Sequence, residues 1–205
     1  AAESLFWLGR YTERAENAVR QSEEQGYAAE FSPELFLDVD PFGGDINGAV
    51  VMDDALVVFK ETAVFMVTGP GPLANPAAGG GWTQPELITS DVGCVSPDSI
   101  GYTPVGVMFQ SQKGIYMLGR DKSVSYVGAP VEAFNSQRVV ATTLIEDRTQ
   151  IRFLTDAGRT LLYDYLFNQW SVFTNHEGQD AVIVDGDYYY LRNDGQVWVA
   201  TPGEY

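Results

Sequence analysis

At 205 residues, with 45% apolar and 13% aromatic content, the chain can bury a sizeable core in one or two domains and is not a disordered segment. Its single cysteine excludes an intrachain disulfide and a cysteine-rich metal site, and no apolar run approaches the roughly 20 residues of a spanning helix, so no membrane contact is expected. The 28 acids against 12 bases leave a net charge of -16, and duplex nucleic acid, whose phosphates demand clustered Lys and Arg, is repelled by such a surface.

Residues 1 to 20 place Leu5, Leu8, Tyr11, Ala15, Ala18 and Val19 mostly three and four apart, which predicts an amphipathic helix. Its polar face carries Glu13, Arg14, Glu16, Asn17 and Arg20, with Glu16 four residues before Arg20 in the favoured ion-pair order. The helix reaches Glu24 and Gly26 stops it, giving a first unit over 1–24 and a second over 25–205. Ala2 to Asn17 read AESLFWLGRYTERAEN, and this run resembles the opening helix of the bacterial alpha-E domain family. The likeness implies one helix and no function, because the rest of that helical domain has no counterpart in the pattern that follows.

Beyond residue 20 the chain holds 25 acids and 9 bases, so this part carries the whole net charge. The excess serves solubility, or forms a wall past which a polyanion slides without sticking. Periodicity switches to two. Residues 35–39 form an expected strand between Pro33 and Pro41, and Gly43, Gly44 and Asp45 a turn. Four hairpins then recur: 55–59 with 64–68, 106–109 with 114–118, 151–153 with 158–163, and 188–191 with 195–199. Aligned on Phe59, Phe109, Phe153 and Tyr190, they lie 50, 44 and 37 residues apart, with a glycine five positions after each of the last three aromatics. That period belongs to propeller-like repeats. The expected fold is therefore all-β, a β-propeller-like array of about four antiparallel blades behind one N-terminal helix.

Between the first two hairpins, residues 69–86 contain four prolines, three consecutive glycines and Trp82, and form an irregular loop, either disordered or in contact with a neighbour. Cys94 sits in a turn-like sequence with no base nearby and reads as a small buried thiol. His176 is the sole histidine, and nothing near it resembles a nucleophile elbow. Asp185-Gly186-Asp187 and Asn193-Asp194-Gly195 look like fragments of calcium loops but lack the remaining ligands, and read as hairpin turns. Trp170, Tyr163, Tyr165, Phe167 and Tyr188 to Tyr190 fall where cross-strand and inter-sheet packing puts aromatics, with Trp170 expected to be mostly buried against Tyr163 or Phe173. The alternative is a stacking platform for sugars or bases. No catalytic residue, cofactor or metal ligand is assigned.

Residues 31–205 are similar to the C-terminal half of a bacteriophage tail-associated family of propeller type, akin to tail nozzle and packaged-DNA stabilisation proteins. The likeness lies in Asp53–Lys60, Val67–Pro72, Ile88–Cys94, Thr103–Tyr116, Val127–Glu132 and Asp164–Ser171. It implies a structural component of the virion, assembled in the bacterial cytoplasm, in the tail or head-to-tail region. Its partners would be other tail or connector proteins and copies of itself in a homo-oligomeric ring, without tight nucleic-acid binding. It also implies that the repeat domain is part of a larger propeller. A carbohydrate-binding or carbohydrate-cleaving propeller and a cellular interaction scaffold are the other readings.

Overall fold

In the computed structural model the residues described are 39–69, 81, 83–174 and 177–200. They form four antiparallel sheets, each a meander in chain order. Sheet 1 comprises β1 (Ile46–Met52), β2 (Ala55–Lys60), β3 (Val64–Thr68) and β4 (Glu86–Thr89); sheet 2 comprises β5 (Gly101–Thr103), β6 (Gly106–Ser111), β7 (Gly114–Gly119) and β8 (Val124–Tyr126). Sheet 3 comprises β9 (Val139–Ile145), β10 (Gln150–Thr155), β11 (Thr160–Asp164) and β12 (Gln169–Phe173), and sheet 4 has three strands, β13 (Asp180–Val184), β14 (Asp187–Leu191) and β15 (Val197–Ala200). Helix among the described residues is confined to short 3-10 turns at Pro97–Ser99, Ala129–Phe134 and Glu146–Arg148.

The four hairpins read from the sequence are the second and third strands of these sheets, and the sheets gain a first and, in three cases, a fourth strand around them. β2, β6 and β10 read as almost unbroken apolar runs because their sheets are covered on both faces. Alternate residues then serve different interfaces. Val57 and Phe59 of β2 meet Val107 and Phe109 of β6, whereas Met108 turns the other way, to join Ile151 and Phe153 of β10 in a second core. The third core sets Leu154, Ala141 and Ile145 of sheet 3 against Tyr188, Tyr190 and Ala200 of sheet 4. All four aligned aromatics thus lie between sheets, with Phe59, Phe109 and Phe153 fully buried and Tyr190 5% exposed.

The first strands draw the sheets together, β5 lying beside β9 and β9 beside β13. At Gly101 a Cβ would sit 2.3 Å from Ile151 Cδ1 and 2.6 Å from Thr142 Cγ2, so any larger residue there would have to displace these two side chains of sheet 3. Hydrogen bonds cross each interface: Asn47 Nδ2 donates to Cys94 O at 2.6 Å, Gln110 Nε2 to Gln137 O at 2.6 Å, and Thr143 Oγ1 to Ala181 O at 3.3 Å. The recurring hairpin glycines Gly114, Gly158 and Gly195 take φ of +118°, +75° and +80°, backbone that other residues rarely adopt. Asp185 and Gly186 both have positive φ, as a tight two-residue hairpin turn requires.

The helix expected over 1–24 and residues 35–38 of the strand expected at 35–39 lie outside the described residues, as do 70–80, Trp82 and His176. Val39 is described and is not in a strand; it packs near Val58 and Phe65. The irregular segment ends one residue sooner than the sequence suggests, because Glu86 opens β4 and pairs with Met66.

Candidate functional site

Charge is the first thing this architecture organises. Beyond residue 20 the chain has nine bases, and among the described residues ion pairs are seen at Lys113, Arg120, Lys122, Arg138 and Arg192. Three reach from sheet 2 to sheet 1: Lys113 to Asp91 at 2.6 Å, Lys122 to Glu86 at 2.5 Å, and Arg120 to Asp53. Arg120 also donates to Pro104 O at 2.9 Å and to the Tyr102 hydroxyl at 2.7 Å. Arg138 lies 3.8 Å from Asp98 and Arg192 3.0 Å from Glu177. These pairs are largely exposed, so each contributes on the order of 0 to 1 kcal/mol; they fix register more than they stabilise. Lys113, Arg120, Lys122 and Arg138, the residues from which a basic edge could have been built, each lie opposite an acid.

The remaining bases are drawn inward or onto rings. Lys60 is buried and donates to Asp40 O at 2.7 Å. Arg159 lies 5.3 Å from the Phe134 ring centroid. Arg152, fully buried between sheets 3 and 4, sits 4.5 Å from the centroid of Tyr188 and 5.9 Å from that of Phe173. Beside it, Arg148, Gln150, Leu162, Ser171 and Phe173 line a cavity of about 400 Å³. These residues belong to sheet 3 and the turn before β10. Gln150 Oε1 is buried there and accepts no hydrogen bond from the described residues.

Cys94 is buried, its Sγ donating to Ser96 O at 3.0 Å, with Ser99 Oγ at 3.4 Å. Burial pushes the thiol pKa up and keeps it protonated. It closes the turn that carries sheet 1 into sheet 2, as its N–H donates to Lys60 O at 2.9 Å. Among the described residues no three His, Cys, Asp or Glu side chains are grouped to hold a metal ion.

Trp170 is half-buried, where the sequence suggests a mostly buried residue. Its ring lies 4.8 Å from Tyr163 and 6.1 Å from Phe153, and its Nε1–H donates to Val127 O at 2.8 Å. Phe173 occupies the other face, because alternate residues of β12 point to opposite sides of sheet 3. Tyr163, Tyr188 and Tyr190 are buried in the inter-sheet cores, whereas Phe167 is 66% exposed at a turn.

On sheet 4 the face turned away from sheet 3 carries exposed apolar side chains. Val182, Val184, Val197 and Val199 are 54%, 48%, 67% and 40% exposed, and the register puts Val182 and Val199 on either side of Tyr189. At the other end, sheet 1 buries Val58, Ala63 and Phe65.

A family model for a predicted alpha-helical domain with a conserved ER motif matches residues 1–26, outside the described residues. No curated protein matches the chain in sequence. Among solved structures, BamB from Moraxella catarrhalis is similar over 78% of this chain with a TM-score of 0.51 and 13% identity. The computationally designed Ika4 protein is similar over 84%, with a TM-score of 0.52 and the same 13% identity. The matched region spans 46% of the BamB chain and 100% of Ika4. The likeness concerns the sheet-rich fold alone.

Proposed function

We propose that the four sheets are blades of a propeller-like array and that the chain is a non-enzymatic structural component of a bacteriophage virion. It acts in the tail or head-to-tail region by binding copies of itself and neighbouring tail proteins. The virion role is supported by the tail-family resemblance of residues 31–205. The observation that carries the mechanism is the disposition of charge: among the described residues the basic side chains are engaged in clamping sheet to sheet and in packing, while most of the acids are exposed. A surface of this kind lets packaged or passing DNA move by without adhering.

The test is a filter-binding assay with duplex DNA at physiological ionic strength, where screening acts over about 8 Å. No retention is expected. Salt-sensitive retention at submicromolar protein would require a basic stripe and would remove the acidic-wall mechanism. A sugar-binding or sugar-cleaving protein is the second reading, favoured by the cavity that brings Phe173 and the Gln150 amide together. Turnover of a glycan, or glycan binding abolished by Phe173→Ala, would put that reading first.

A further inference from the structure

The cavity beside Arg152 is built by the register of sheet 3. Gln150, Arg152 and Leu154 alternate onto one face of β10, and the pairing of Arg152 with Leu162 and of Leu162 with Ser171 carries that face across to β12, where Phe173 follows two residues on. Leu154 packs on sheet 4 and Arg152 lies on Tyr188, so this is the face turned to sheet 4. Beyond that contact, Gln150, Leu162, Ser171 and Phe173, with Arg148 from the turn before β10, surround about 400 Å³. Small-molecule sites span about 300–1,000 Å³ and combine apolar walls with a few placed polar groups. The cavity has that size and that mixture.

We propose that it binds one ring of an uncharged sugar and does not cleave it. The inference rests on the sugar-binding reading, which it narrows to a site, a ligand class and a role without turnover; it does not require the virion role. Each wall asks for a different property of the ligand. Gln150 Oε1 is buried and accepts no hydrogen bond from the described residues, so a ligand seated there must bring an O–H or N–H. Arg148 has donors only and is served by an oxygen, while the Ser171 hydroxyl takes either role. Phe173 and Leu162 supply apolar surface, with the Arg152 guanidinium 5.9 Å from the Phe173 ring centroid. A pyranose meets these demands together: its hydroxyls donate and accept, and its C–H face lies on an aromatic ring. A nucleobase could meet them too, but the phosphates of a nucleotide would approach a chain of net charge -16, and an uncharged sugar meets no such repulsion. Among the described residues that line the cavity none is a carboxylate, whereas glycoside hydrolysis uses a pair of them about 5 to 9.5 Å apart. One ring offers about a dozen heavy atoms, which puts the affinity at about 1 mM.

Saturation-transfer NMR on the full chain tests it, with the methyl glycosides of glucose, galactose, mannose and N-acetylglucosamine as probes and AMP as the charged comparison. At least one glycoside is expected to bind at about 1 mM, AMP is not, and the p-nitrophenyl glycoside of the bound sugar should stay intact. Gln150→Leu is expected to weaken binding about tenfold or more at an unchanged or raised melting temperature, because it removes a buried acceptor and keeps an apolar wall. Phe173→Ala should weaken it as well; if that variant fails to fold by circular dichroism, Ser171→Ala takes its place beside Gln150→Leu. Binding that survives in folded Gln150→Leu would put the sugar elsewhere on the chain, overturning this site and leaving the sugar-binding reading intact. Binding of none of the glycosides would overturn both. AMP bound in preference to every glycoside would overturn the ligand class, and hydrolysis that disappears in Gln150→Leu would overturn the role without turnover.

Discussion

Phe109→Ala is expected to lower the stability of the protein by about 4 kcal/mol, the range for truncating a fully buried aromatic side chain. Phe109 is at 0% exposure in β6, its ring 4.8 Å from Phe59 of sheet 1 and 6.3 Å from Tyr116 of β7. The cavity left behind cannot collapse easily. β6 is paired on both edges, and its next residue, Gln110, is tied to sheet 3 by the bond to Gln137 O and by accepting from Val139 N at 2.8 Å. The strand is therefore held from three sides while its plug is removed. Phe167→Ala, at a turn where the ring is 66% exposed, is the matched control and should change stability by less than about 0.5 kcal/mol. Urea unfolding of both variants measures the difference. Equal and small effects would show that the aligned aromatics do not hold the sheets together.

Trp170→Ala is expected to cost about 3 kcal/mol, below the fully buried limit because the side chain is half-buried. It should lose two things together, the ring contacts with Tyr163 and Phe153 and the hydrogen bond to Val127 O. Trp170→Phe separates them, since it keeps a ring and removes the donor, leaving Val127 O unsatisfied at a cost of about 1 kcal/mol. A Trp170→Ala variant with an unchanged melting temperature but a lost ligand would instead make this ring part of a binding platform.

The hairpin formed by the second and third strands of each sheet was legible because its signal is local. Phe109 and Gly114 lie within one turn of each other in sequence, and the glycine takes the positive φ that closes the hairpin, so the pair marks a hairpin wherever it recurs. The outer strands of sheet 2 were not legible. β5 and β8 have three residues each, too few to show a period of two, and β8 leaves Ser125 and Tyr126 exposed at an edge. Arg152 was missed for a different reason. Between Ile151 and Phe153, a charged residue reads as the solvent side of a half-buried strand, yet sheet 4 covers that side and supplies Tyr188 for the guanidinium to lie on. The clamps between sheets 1 and 2 join residues 22 to 67 apart, a pairing that only topology can reveal. Trp170 was legible as packing against Tyr163, since the two are register partners; its degree of exposure was not, because β12 is the outermost strand of sheet 3.

The proposed virion role is tested most directly by peptide mass spectrometry of gradient-purified particles of a phage whose genome carries this sequence. The expected result is recovery of peptides from residues 39–200 in intact particles, in constant ratio to a tail protein and retained after salt washing. Particles free of these peptides, with the chain found only in the infected-cell lysate, would contradict it.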